Sequence, residues 1–200
     1  MFKRGRKQNS SEKITMDDDW ESISDLNERE LDVIGVIETE DLMQFTFEGI
    51  KRRLKIHPET LSRTLNRLTQ DEIVKKINNG YSLTTKGKKL LKPNQTSNRK
   101  EVPVLQSCLP PDCQIKKITD SLEGKWFGNL RWLGYGKSNE NIKMKWITND
   151  GEIIVTVVLN NKMFNIYSKT VSEIDFSSAV NVAYQVMRHV TKLISKSSHN

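Results

Sequence analysis

Three leucines behind a proline limit how this chain folds more than any other feature. Pro58 starts a helix without loss, because its missing N–H is one that a first helical turn leaves unpaired, and Leu61, Leu65 and Leu68 then recur at spacings of four and three. One face of that helix must be buried. At about 100° per residue, the side chains pointing directly away are Glu59, Arg63, Asn66 and Gln70, flanked by Thr60, Ser62 and Arg67.

The flanking segments extend the pattern. Upstream, Phe47, Ile50 and Leu54 predict a second helix over about Phe47 to Leu54 with Lys51, Arg52 and Arg53 in water, ended by Lys55-Ile56-His57-Pro58. Further upstream, Asn27 and Glu30 have capping-box spacing, with Leu26 and Leu31 as the flanking staple and Leu31, Ile34 and Ile37 as the buried stripe. Downstream, the runs Ile73 to Ile77 and Tyr81 to Thr84 are joined across Asn78-Asn79-Gly80, residues that tolerate positive φ and so predict a hairpin tip. Lys86 to Leu91 begins a short helix after it.

Charge follows the same boundaries. Between Thr46 and Lys92 there are twelve Lys and Arg against four Asp and Glu, a balance of +8 in a chain whose formal net charge is +7. Clustered cations release condensed counterions when they meet phosphates, which gives affinity without sequence information. On the outward helix face, Arg matches guanine O6 and N7, Asn and Gln match adenine N6 and N7, and short hydroxyls reach phosphates. The spacing therefore predicts base contacts from Thr60, Arg63, Asn66 and Gln70. Backbone contacts are expected from Lys51, Arg52, Ser62, Arg67, Lys75, Lys76, Asn79 and Lys86.

In "HPETLSRTLNRL", "DEIVKK" and "NGYSLTTKGKKLL" the chain resembles winged helix-turn-helix transcription regulators, MarR-like proteins and small archaeal regulators among them. The resemblance covers roughly Asn27 to Leu91. It implies sequence-selective binding of double-stranded DNA, usually as a homodimer, with the third helix in the major groove and the hairpin, as a wing, on the backbone or minor groove. Two residues depart from the family. Glu72 stands where the family has a helix-ending Gly, and His57 stands where Ser or Thr usually caps.

The expected fold class is α+β, with an N-terminal winged helix-turn-helix over 25–92 and a smaller α+β domain over 104–200. Residues 1–24 turn from basic (Lys3, Arg4, Arg6, Lys7) to acidic (Asp17, Asp18, Asp19, Glu21) with few core formers, the composition of a disordered tail. The stretch 93–103 opens with a polar, proline-led run and reads as a linker. In the second domain, strands are predicted at Lys125 to Tyr135, Ile142 to Thr148, Glu152 to Leu159 and Lys162 to Ser168, an antiparallel meander with the third strand covered on both faces. A helix from about Asp175 to Ser195 closes the chain. Its apolar stripe is broad, which implies either deep burial or a partner subunit, and a homodimer is the expected use. Seven aromatics between Trp126 and Tyr167 are expected mainly in the core and leave an unidentified small-molecule effector open.

Other chemistry finds little footing. Cys108 and Cys113 are spaced too loosely for a zinc knuckle and no second pair follows, so they read as ordinary thiols or a redox pair. There is no phosphate loop, nucleophile elbow or HExxH, so no enzyme, cofactor or metal is expected. No apolar run spans a bilayer and the N-terminus lacks a secretory h-region, which predicts a cytoplasmic protein without membrane contact. Two rival functions stay open. One is a winged-helix protein-interaction module in transcription or RNA machinery. The other, RNA binding, is disfavoured because no aromatic stacking platform lies within the winged segment.

Overall fold

The computed structural model describes residues 26–91, 101–138, 140–171 and 176–197. The predicted tail over 1–24 and the polar stretch over 93–100 lie outside the described residues.

The first helix, α1 (Glu28–Thr39), starts with the expected capping box: Glu30 N–H donates to Asn27 Oδ1 at 3.0 Å, and Asn27 N–H donates to Glu30 Oε2 at 2.8 Å. Its inner face differs from the expected stripe. Glu30, Val33, Val36 and Ile37 are buried, whereas Leu31 is 45% exposed. The helix turns Glu30 inward because Arg67 reaches it with Nε at 2.8 Å, and the paired, hydrogen-bonded carboxylate tolerates burial.

After the two-residue strand β1 (Gln44–Phe45), Thr46 caps α2 (Phe47–Leu54) by accepting from Gly49 N–H at 3.0 Å. Lys55 ends α2 in the left-handed region, and α3 (Pro58–Gln70) follows with Leu61, Leu65 and Leu68 fully buried. Helix α3 ends in a Schellman motif, with Ile73 N–H on Leu68 O and Glu72 N–H on Thr69 O. Glu72 therefore takes the left-handed position at φ 59° that a glycine fills at less cost. His57 does cap α3, its Nδ1 accepting from Glu59 N–H at 3.3 Å. The hairpin is β2 (Val74–Ile77) and β3 (Gly80–Leu83), turned at Asn78-Asn79, and α4 (Thr85–Leu90) comes next.

The second half contributes β4 (Val102–Cys108), α5 (Ile115–Leu122), β5 (Leu130–Ser138), β6 (Asn141–Thr148), β7 (Ile153–Leu159), β8 (Met163–Thr170) and α6 (Phe176–Ser197). The fold is α+β, and the meander β5 to β8 has the expected order. Strand β4 is an addition that begins inside the predicted linker. Pro103 hides it from a strand search, since a proline is tolerated only at an edge or an irregularity; β4 is the edge strand, and its register shifts between Pro103 and Leu105.

All described strands join one antiparallel sheet of order β2-β3-β1-β5-β6-β7-β8-β4. The two predicted domains thus share a sheet, through Gln44 opposite Tyr135 and Phe45 opposite Gly134. They share a core too. Leu133, Ile147 and Ile154 pack with Val33, Ile37, Leu61 and Leu65 on the face carrying α1 to α3. The other face packs Trp146, Val155, Val157 and Phe164 against α5 and α6. Glycine makes the junction fit: a Cβ on Gly134 would collide with the Gln44 carbonyl, and one on Gly151, at φ +79°, with the Arg52 carbonyl.

Strand β7 is covered on both sides, with Ile153, Val155, Val157 and Leu159 in one core and Ile154 in the other. The breadth of the α6 stripe is taken up within the chain. Ala179, Ala183, Val186, Val190 and Ile194 are buried, and Val182, Met187 and Leu193 pack beside them. Among the described side chains, the face of α6 turned to solvent is polar apart from Tyr184.

Candidate nucleic-acid interface

The leucine stripe fixes the rotation of α3, and the rotation decides what solvent meets. Ser62, Arg63, Asn66, Arg67 and Gln70 are exposed, while Thr60 is half-buried and its carbonyl accepts from the Thr64 hydroxyl at 2.9 Å. Lys75, Lys76 and Asn79 are exposed on the hairpin. Lys86 is exposed, with Nζ donating to Asp71 O at 3.0 Å, which ties α4 to the end of α3.

The cations differ in how firmly they are held. Arg63 pairs with Glu59 one turn back, both well exposed. Lys51 and Arg52 pair with Glu48 at 2.7 and 3.3 Å and, with Arg53, are half-buried rather than fully wet as expected, because α2 lies against β5 and β6. The exposed Arg63–Glu59 pair is of a kind worth about 0 to 1 kcal/mol, so another partner can replace either side at little cost. Arg67 is different. Its Nε is committed to buried Glu30, so it acts as a fixed charge with only its remaining N–H groups free.

A second set of charges lies inside, under α2 on the same sheet face. Glu40, at the end of α1, is fully buried and meets Lys169 at 2.8 Å, Lys145 at 3.2 Å and Arg53 at 3.4 Å. Lys145 also reaches Glu101 at 3.1 Å, and Glu101 accepts from the Thr156 hydroxyl at 3.0 Å. Burial pushes the Glu40 carboxyl up, but Lys145, Lys169 and Arg53 outweigh it and hold the pKa below its ordinary value. Lys145 is held above its ordinary value: burial pulls it down, and Glu40 and Glu101 more than reverse this. Three cations share two carboxylates, and Lys169 is the one left short; burial and the Lys145 charge outweigh Glu40 and pull it down. Single-sequence reading missed this cluster, since Glu40 and Lys145 are 105 residues apart. Lys145 and Lys169 stand on strands that also carry other polar residues, so no local signal in the sequence marks their burial.

A cleft of about 1200 Å³ opens where the hairpin tip faces β5. Lys76, Asn78 and Asn79 form one wall, Arg52 lies on the α2 side, and Trp126, Arg131, Trp132 and Tyr135 come from the second half. The Arg131 guanidinium sits 4.5 Å from the Trp126 ring centre. Of the other aromatics, Phe127, Trp146 and Phe164 are core; Trp146 meets Trp132 and Phe127 edge-on and donates from Nε1 to Lys125 O at 2.8 Å.

Cys108 is exposed and Cys113 half-buried, and both are free thiols. Burial pushes the Cys113 thiol up, which lowers its thiolate fraction. Among the described residues no group of His, Cys, Asp and Glu is arranged to hold a metal ion, and no helix is long and apolar enough to cross a membrane. No family model, curated protein or solved structure matches the chain.

Proposed function

We propose that this protein is a sequence-specific, double-stranded-DNA-binding transcription regulator of winged helix-turn-helix type. Helix α3 enters the major groove, and the β2–β3 hairpin, as the wing, lies on the backbone or minor groove. The observation that carries this reading is the exposure of Ser62, Arg63, Asn66 and Gln70 on one helix face, beside a hairpin bearing Lys75, Lys76 and Asn79. Energetics favour it as well. A bidentate Arg–guanine contact discriminates by about 1–3 kcal/mol, more than an exposed Arg63–Glu59 pair holds back.

Arg63, Asn66 and Gln70 read bases, with Thr60 at the margin. Lys51, Arg52, Ser62, Lys75, Lys76 and Lys86 neutralise or bond phosphates, and Arg67 adds a fixed charge. A homodimer supplies the second half-site reader. Cytoplasmic localisation goes with this role.

Binding measured on a selected duplex and on random duplex, across salt, tests the assignment. Arg63→Ala weakens the selected duplex more than the random one. Lys76→Ala weakens both alike and lowers the salt slope by about one unit. Equal losses on every sequence for Arg63→Ala would remove base reading from α3. A chain without affinity for random duplex at low salt would instead be a protein-docking module.

A further inference from the structure

Among the described residues, the large apolar side chains that stand exposed are Leu31, Trp126 and Tyr184, at 45%, 67% and 52%. The two aromatics of this set belong to one surface. Trp126 lines both the cleft beside the hairpin tip and a second crevice, of about 380 Å³, that holds Tyr184, Arg188 and Lys192 of α6. It is thus a ridge between two depressions, one opening on the hairpin and the other on α6.

The ridge is set before anything binds. Arg131 packs over the Trp126 ring at 4.5 Å and is itself held, its Nη1 donating to Gly128 O at 2.7 Å and to Leu130 O at 3.2 Å. The surroundings are cationic: Arg52, Lys76 and Arg131 line the first cleft, Arg188 and Lys192 the second. Among the described residues the carboxylates lining either are Glu48 and Glu123, and Glu48 is neutralised by Lys51 and Arg52.

We infer that this surface carries single-stranded DNA continuous with the bound duplex: the strand passes from the cleft beside the hairpin over Trp126 onto α6, and its bases stack on Trp126 and Tyr184. This rests on the duplex-binding reading above, since the strand starts where the wing would meet the duplex. Exposed aromatic faces interleaved with Lys and Arg are what a strand of any sequence needs, because every base has a π-face and every phosphate a charge. A small ligand would fill one depression, whereas a strand uses both together with the Trp126 ridge between them. Trp, Tyr and Arg also suit protein interfaces, but the cations repeat along both depressions beside the aromatics, a charge pattern complementary to a polyanion. The aromatic platform missing from the helix-turn-helix segment is therefore supplied by the second half of the chain.

The test uses the full chain and three labelled probes: a blunt duplex, the same duplex with an oligothymidine tail of about eight nucleotides, and one with an abasic tail of equal length. The oligothymidine tail is expected to tighten binding about tenfold, and the abasic tail to give little of that gain. Trp126→Ala and Tyr184→Ala each remove most of the gain without changing blunt-duplex affinity, and Trp126→Phe retains it. Arg63→Ala weakens blunt and tailed probes together and leaves their ratio unchanged, so a failure of duplex reading is separable from a failure of the strand path. If the blunt duplex does not bind at all, quenching of Trp126 fluorescence by free oligothymidine, absent in Trp126→Phe, still decides the strand site. Equal gain from thymidine and abasic tails, or no gain from either, would overturn the inference.

Discussion

The outward face of α3 and the cluster around Glu40 are built from the same residue types and do opposite work. On α3, Arg63 and Glu59 face solvent, and their pair is weak enough for another anion to replace. Around Glu40 the same kinds of charge are sealed between α1, α2 and the sheet, where removing Glu40 would strand its three cationic partners. Surface cations stay available to an outside anion; buried ones fix how the helices sit on the sheet. Counting charges along the chain cannot separate these roles, because the dielectric around each group decides its role, and folding sets that dielectric.

This contrast is open to direct attack, and the heaviest blow falls on the buried side. Glu40→Gln leaves Lys145, Lys169 and Arg53 without their shared anion and is expected to cost about 3–5 kcal/mol in urea unfolding. A loss under about 1 kcal/mol would place the cluster among the weak surface pairs. The same residue predicts a pH dependence. Because the folded pKa of Glu40 is depressed, its contribution is present above the ordinary carboxylate range and is lost as pH falls through the folded value. Unfolding free energy should therefore drop on the acid side in the parent chain, and less so in Glu40→Gln. The alkaline side is less informative. Raised Lys145 loses stability as pH rises through its folded value, whereas depressed Lys169 gains, and the two oppose each other.

Arg67 sharpens the comparison because it belongs to both regions, exposed itself but paired with buried Glu30. Arg67→Ala should cost about 1.5–3 kcal/mol in stability, the usual range for a hydrogen bond to a charged group, and on the proposed function it weakens DNA binding too. Next comes Glu72→Gly, which relieves a left-handed φ at the end of α3 and should stabilise the fold by about 1 kcal/mol, read as a higher urea midpoint with unchanged slope. Arg63→Ala closes the series with a stability change within about 0.5 kcal/mol, so its effect on DNA is free of a folding artefact. An Arg63 effect on stability as large as that of Arg67 would dissolve the distinction.

Much of the N-terminal half was legible because its signals are local. The capping box of Asn27 and Glu30 lies within one turn, the spacing of Leu61, Leu65 and Leu68 sets the rotation of α3, and Asn78-Asn79-Gly80 sits where the hairpin turns. The α1 stripe differs from the expected Leu31, Ile34 and Ile37 because Glu30 is buried in place of Leu31, which a partner 37 positions away makes tolerable. Strand β4 was missed because Pro103 argues against a strand until the sheet edge is known. The seven aromatics are mostly core, as their strand positions imply, and the exception that no local pattern marks is Trp126, exposed beside the hairpin.

By itself, the order of residues determined α1 to α4, α6, the meander and the polar outward face of α3, since each follows from periodicity and capping within a few turns of chain; α5 was not among them. Only the tertiary structure decided that the two halves share one sheet through β1 and β5, that Glu40 meets Lys145 and Lys169, and that Trp126 lies beside the hairpin. These depend on groups distant in sequence meeting in a medium of low dielectric and close packing, conditions that do not exist until the chain has folded.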